Sequence, residues 1–235
     1  MDSEKIGRDG LWRRGVKEIR GYKRRMKLLV SLLIMLLVMT SLLFVVSALY
    51  NQSGSFTVSV NKVEMTKYGL SLSESRDMTH LSSQLNAKIS EGITNIAGEI
   101  IPDNVDEIDG VHNGVNYIAY PFYLQNGGEV EVPCEYSVDM SNVTSGLDEA
   151  IRLRLYVNGE PTTYAKIKRD GSGPEPGTTP FHSSTVMAKG RVEALAPGEV
   201  TKFTVVIWIE GSDPDCLDPL VGGQLKAEMN IGIVH

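Results

Sequence analysis

Two hydrophobic patterns divide this chain. Leu28 to Leu49 (LLVSLLIMLLVMTSLLFVVSAL) runs 22 residues without a charge, a glycine or a proline. As a helix it would be about 33 Å long at about 1.5 Å per residue, matching a hydrocarbon core about 30 Å thick. It has scattered Ser and Thr but no polar stripe, so the pattern predicts a membrane-crossing helix rather than the core helix of a soluble domain. From Phe56 onward the dominant period is two. Phe56, Val58 and Val60 open the series, and Val130, Val132, Cys134, Tyr136 and Val138 alternate with polar or acidic neighbours. Ile151, Leu153, Leu155 and Val157 repeat the pattern, as do Leu225, Ala227, Met229, Ile231 and Ile233. Such alternation predicts strands with one apolar face. Phe203 to Ile209 (FTVVIWI) is apolar on both faces and predicts a central strand.

Turn residues punctuate the strands. Gln125-Asn126-Gly127-Gly128 predicts a hairpin joining Tyr117–Leu124 (YIAYPFYL) to the strand around Cys134, and Asn158-Gly159 predicts a second one after Val157. Pro121 and Pro133 cannot donate to a ladder, which predicts a free edge or a bulge at each. Met78, Leu81, Leu85 and Ile89 have the spacing of one amphipathic helix. Arg169 to Pro180 (RDGSGPEPGTTP) reads as an exposed loop. About eight short strands with little helical periodicity predict an all-β fold, an antiparallel β-sandwich or jelly-roll-like domain. The expected organisation is a basic N-terminus (1–27), the transmembrane helix or signal anchor (28–49), a short stalk (50–55) and the β-domain (56–235).

Charge orients this arrangement. Ten of the 23 Lys and Arg but only four of the 29 Asp and Glu fall in residues 1–27, a net of +6; the remainder carries 13 basic and 25 acidic residues, a net of −12. Basic residues crowding the near side of the hydrophobic run predict a cytoplasmic N-terminus and an extracellular C-terminal domain, with the lipid bilayer as partner through Leu28–Leu49. The basic run abuts a membrane segment and lacks interleaved aromatics, which argues against nucleic acid as a partner. Val46-Ser47-Ala48 resembles a small-residue cleavage site. The apolar run, however, exceeds the roughly 7–15 residues of a signal peptide. Retention favours a membrane-anchored protein, and cleavage a secreted one.

The chain names no reaction. It contains no HExxH, no GxSxG and no Gly-rich loop ending in Lys-Ser or Lys-Thr, so it shows none of those signatures of helical zinc proteases, hydrolase elbows or phosphate loops. No cofactor is expected. Calcium is the one ion with candidates, because hard cations take carboxylate oxygens from loops. One candidate set is Asp103, Asp106, Glu107 and Asp109; the other is Asp213, Asp215 and Asp218 within WIEGSDPDCLDP. Neither has EF-hand spacing, and acidic loops on so anionic a domain need no ion. The two cysteines leave two readings open. A Cys134–Cys216 disulfide would close a loop of about 80 residues, worth roughly 4–5 kcal/mol on the entropic model. Phase places Cys134 inward and Cys216 in a polar loop, which favours two separate thiols.

Several stretches occur in a familiar order: SGSFTVSVNK after the hydrophobic segment, YIAYPFYLQNGGEVEVPCEYSV, LDEAIRLRLYVNGE, and GEVTKFTVVIWIEGSDPDC followed by GGQLKAEMNI. Together they resemble the TasA/camelysin group of exported surface and biofilm-matrix proteins of Gram-positive bacteria. The resemblance implies a jelly-roll-like domain outside the membrane, assembled into fibres by strand exchange in the best-known members. Camelysin-type members are classified as metallopeptidases, but no HExxH-type motif is present onto which a catalytic residue can be carried.

The function expected from all this is that of a cell-surface structural or interaction protein without catalytic activity. Edge strands would do the work, Phe56–Lys62 foremost, pairing with copies of itself or with other surface proteins. A glycan- or peptide-binding module is the alternative, with Tyr120, Tyr123, Tyr156 and Trp208 exposed on one face. A camelysin-like metallopeptidase is the second alternative.

Overall fold

The computed structural model describes Lys23 and residues 25–46, 55–88 and 93–234. The chain divides into two units, Met1–Asn51 and Gln52–His235. In the first, Arg25–Val46 forms α1, a 22-residue helix long and apolar enough to cross a membrane. Residues 47–49 of the expected span lie outside the described residues.

The second unit is mostly strands in two mixed sheets. In chain order they are β1 (Ser55–Val60), β2 (Leu70–Ser73), β3 (Gln84–Lys88), β4 (Tyr117–Asn126), β5 (Val132–Ser141), β6 (Ile151–Val157), β7 (Glu160–Ala165), β8 (Thr179–Pro180), β9 (Val186–Leu195), β10 (Val200–Ile209) and β11 (Lys226–Ile233). A short helix α2 (Lys62–Tyr68) follows β1. The first sheet has the order β3-β1-β11-β5-β9 and the second β2-β4-β10-β6-β7-β8. The sheets are not purely antiparallel as the pattern suggests: β1 runs parallel to β11, and β7 parallel to β8.

Alternation explains the interior. Phe56 and Val58 of β1, Val132 and Val138 of β5 and Met229 and Ile231 of β11 share one apolar cluster with Tyr120, Phe122, Leu153, Leu155, Phe203 and Val205 of the second sheet. An aromatic chain crosses it: Phe56 meets Tyr120 edge-on at 6.0 Å, Phe122 stacks on Phe203 at 5.3 Å, and Tyr136 meets Phe203 edge-on at 5.3 Å. Such pairs add about 0.5–1.5 kcal/mol each beyond the area they bury. Strand β10 is indeed central, flanked by β4 and β6. Its opposite face is covered by the connection before β4, where Ile101 and Val105 pack on Ala119, Tyr156, Val206 and Trp208.

The proline expectation holds in both forms. Pro121 sits where β4 has β10 on one side and lies beyond the reach of β2, whose pairing with β4 covers Tyr123–Asn126. At Pro133 the β5–β9 register slips between Val132 and Cys134. The Asn158-Gly159 hairpin also forms, with both residues at positive φ, joining β6 to β7. The other hairpin does not: β4 and β5 lie in different sheets, so Asn126-Gly127-Gly128 is a crossing rather than a tight turn. Local chemistry at the Asn126 side chain explains why. Its amide donates to the carbonyls of Val130 (2.8 Å) and Leu195 (2.7 Å) and accepts from the Gly128 N–H (2.9 Å), replacing ladder bonds. Gly128 passes so close to α2 that a Cβ there would lie 2.3 Å from the Tyr68 carbonyl oxygen.

Two further expectations are corrected. Met78, Leu81 and Leu85 form no helix: Met78 has φ 53° and Leu85 lies in β3, paired with β1. Ile89 is outside the described residues. Strand β1 is interior, between β3 and β11, so Phe56–Lys62 is not an edge strand, and Lys62 already belongs to α2.

Because Asn126 is fully buried, Asn126→Ala leaves two carbonyls without their donor. It should cost about 1–3 kcal/mol, seen as a lower urea midpoint at unchanged slope; an unchanged midpoint would show that the crossing does not depend on this amide.

Candidate functional site

One end of the β-domain gathers its buried charged side chains, Arg152, Glu175, Glu210 and Asp213 among the described residues. Arg152 occupies an outward-facing position of β6, by alternation with the core residues Ile151 and Leu153. It is nonetheless buried, because the loops 166–180 and 211–225 fold over it. Its guanidinium donates to Asp213 and, through the other terminal nitrogen, to the Ile151 carbonyl at 3.2 Å. Glu175 lies 3.9 Å away, and the side chains of Arg152, Glu175 and Asp213 are 5%, 7% and 0% exposed. Asp215 joins through its backbone N–H, which donates to Asp213 at 2.7 Å, and its carboxylate accepts from the Arg169 N–H at 3.1 Å.

Oxygens of Glu175, Asp213 and Asp215 therefore lie within 4.8 Å of one another. Two of these residues are in the sequence-derived calcium set, and Asp218 is not: it sits apart, in a 3₁₀ turn. Glu175 carried no sequence signal, since it lies in a Pro- and Gly-rich stretch that reads as solvated. These three carboxylates could hold a cation by type and spacing. In this structure the Arg152 guanidinium supplies positive charge at the same place, one against three. Burial and then the neighbouring Asp213 push the Glu175 carboxyl above its usual range, against the pull of Arg152.

The other acidic set is dispersed. Lys202 donates to the Asp106 carbonyl and lies 3.9 Å from the Asp106 carboxylate, while Asp109 accepts from the Tyr123 hydroxyl. These groups tie the 96–116 connection to the second sheet. His112 braces the connection from within, its ring nitrogens each 2.8 Å from one of the connection's own carbonyls, Gly110 and Val105.

Beside the Arg152 group, Glu210 closes β10. It accepts from the Trp208 indole (2.9 Å), the Gly98 N–H (3.1 Å) and the Ser212 hydroxyl (2.6 Å). Burial works against its charge, but the bonds from Ser212, Trp208 and Gly98 outweigh it and hold the carboxyl below its ordinary value. Cys216 follows in a cleft of about 270 Å³ lined by Ile93, Leu147, Ile209, Leu220 and Val221, and the Asn95 amide donates to its sulfur at 3.3 Å.

The structure leaves Cys134 and Cys216 as two free thiols. Cys134 is buried between Ile233 of β11 and Val192 of β9, where burial first and Glu64 second push its thiol up to about 11. Tyr120, Tyr123, Tyr156 and Trp208 form no exposed aromatic face. All four are buried, Tyr120 in the core between the sheets and the others beneath the 96–116 connection or at its margin.

No family model matches the chain, and no curated protein does. Two solved structures of a β-glucosidase from Kluyveromyces marxianus align to it, at 14% and 12% identity with a TM-score of 0.23 in each case. They cover 48% and 68% of this chain but only 11% and 15% of that enzyme, so the chain spans a small fraction of its length. At that TM-score the likeness carries no argument.

Two outcomes follow from the buried charges and one from the thiols. Arg152→Met strands carboxylates in the interior and should cost about 3–5 kcal/mol. The raised Glu175 carboxyl favours the fold below the ordinary glutamate value near 4.3, and that gain is lost as pH rises through the folded-state value. Glu175→Gln should thus be more stable than the natural chain at pH 7 and equal to it in acid, measured by urea unfolding at both pH values. Alkylation of the native protein should label Cys216 alone and reach Cys134 only in denaturant; no labelling without reductant would instead indicate a disulfide.

Proposed function

We propose that this chain is a surface protein, held at or exported through a membrane by α1, whose β-domain acts by binding rather than by catalysis. Its N-terminus is cytoplasmic and its acidic β-domain extracellular, in keeping with the charge division. The domain is a β-sandwich of the jelly-roll kind. What supports this is the shared apolar cluster between the two sheets, together with the resemblance of the sequence to the TasA/camelysin group.

The observation that carries the binding role is the open side of β9. This ten-residue strand is outermost in its sheet and, among the described residues, pairs only with β5. The second sheet ends in much shorter strands, β2 with four residues and β8 with two. An unpaired strand edge is a template for strand addition. It is also guarded: the β5–β9 register slips twice, and Lys189, Arg191 and Glu193 are exposed along it. A bulged, charged edge resists indiscriminate sheet growth, so the partner strand must match its charges.

A second reading, glycan binding, moves to the outer face of the first sheet. There Thr57 bonds Asn86 (3.2 Å), Ser59 bonds Asn230 (2.9 Å), and Asn230 and Ser137 both donate to Asp139 (3.0 and 2.7 Å). This polar ladder borders an open cleft of about 490 Å³ that includes Glu64, Glu135, His182 and Lys189. Saccharide hydroxyls could exchange with such donors and acceptors.

Sedimentation and electron microscopy of the full chain in detergent, at rising concentration, test the first reading. Oligomers or fibres that disappear with Arg191→Pro, at unchanged circular dichroism, are expected. Monomers throughout would remove self-assembly through β9, and a glycan-array signal abolished by Asp139→Ala would favour the polar face instead.

A further inference from the structure

The end of the β-domain where β1 begins carries exposed hydrocarbon on several loops. Strands β1 and β11 run parallel with Phe56 beside Ala227, so the start of β1 and the loop 211–225 share that end. Tyr117, at the start of β4, pairs with Trp208 near the end of β10, which places residues 113–116 there too. Side chains knit these pieces into one surface. The Thr94 N–H donates to Asn116 at 3.0 Å, the Asn95 amide to Cys216 at 3.3 Å, and the Arg169 N–H to Asp215 at 3.1 Å. On that surface Val115 is 91% exposed, Val221 82%, Leu217 50% and Ile167 51%. Val63, Leu81 and Val130 are also exposed, toward the other end, so what sets this end apart is its connection to α1.

Chain connectivity says what covers them. Residues 47–54 alone separate α1 from β1 in sequence. Eight residues reach at most about 28 Å, whatever their conformation. With α1 in a bilayer, the end bearing Ser55 is confined to the neighbourhood of that bilayer's surface. Exposed Arg169, next to Ile167, adds a cation of the kind that pairs with lipid phosphates.

We propose that Val115, Leu217 and Val221, with Ile167 and Arg169 beside them, form a membrane-contacting rim that dips into the boundary between headgroups and acyl chains. The partner is the bilayer that holds this chain's own α1. This inference rests on reading α1 as a retained anchor. The rim would fix the tilt of the domain and present β9 and the outer polar face at a constant attitude to the surface.

The test uses the full chain reconstituted in phosphatidylcholine vesicles with brominated or unbrominated acyl chains. Val221→Trp and, at the opposite end, Val63→Trp are each compared with the unsubstituted chain, which already holds Trp12 and Trp208. Added emission from Val221→Trp should be blue-shifted and quenched by bromine, and that from Val63→Trp should be neither. Equal, unquenched emission from both, in a chain that resists alkaline extraction, would overturn the rim and leave the anchor standing. Extraction of the chain at alkaline pH would overturn the anchor reading and the rim with it.

Discussion

Strand β10 has no face that tolerates water, and the arrangement of the β-domain follows from that. Phe203, Val205 and Ile207 point one way and Val206 and Trp208 the other, all buried. Leaving any one of these side chains solvated would forfeit about 1.5–3 kcal/mol. The strand must therefore lie inside its sheet, with a second apolar layer on each side. The first sheet supplies one layer and the 96–116 connection the other. That connection is held by polar clamps because its own strand content is slight: His112 between two carbonyls, Lys202 on Asp106, Tyr123 on Asp109.

Covering β10 on both faces has an electrostatic consequence at its end. The chain leaves Ile209 straight into a stretch dense with carboxylates, in a region already crowded by the loops that cover Trp208. Glu210 answers by collecting donors from its chain neighbours Trp208 and Ser212 and from the distant Gly98, and Asp213 by taking the Arg152 guanidinium. Glu175 is left with the weaker share, at 3.9 Å from the same arginine. Asp213 holds the arginine, so Glu175 is displaced upward by burial and by Asp213, whereas Glu210 is displaced downward by its own neutral donors and not by that cation.

Much of this was legible in the residue pattern, and what was not has physical reasons. Strand positions followed from alternation because burial acts on each side chain locally, and FTVVIWI declared its central place by lacking a polar face. Partners were not legible. The Asn-Gly-Gly stretch has the composition of a hairpin turn, yet it crosses between sheets, because the bonds that decide between the two come from Leu195 and Gly69, far away in sequence. The interior place of β1 depends on β11, which no local pattern announces. Leu85 has helical spacing from Met78 and Leu81, but backbone pairing with β1 prevails. At the site, the sequence selected Asp213 and Asp215 by density of charge and could not find Glu175 or Arg152. Those two are buried by loops folding over them, and their own stretches look solvated.

The side-by-side placement of the first and last strands also bears on the order in which the molecule can come into being. Ser59 and Asn230, bonded across β1 and β11, are 171 residues apart. Contacts of such separation form late, after the intervening loop has been closed. As the chain is made, β1 comes first, and its side toward β11 stays unfilled until residues 226–233 follow. A polypeptide clipped before them would keep that flank of β1 open, a row of unpaired backbone groups able to recruit a foreign strand.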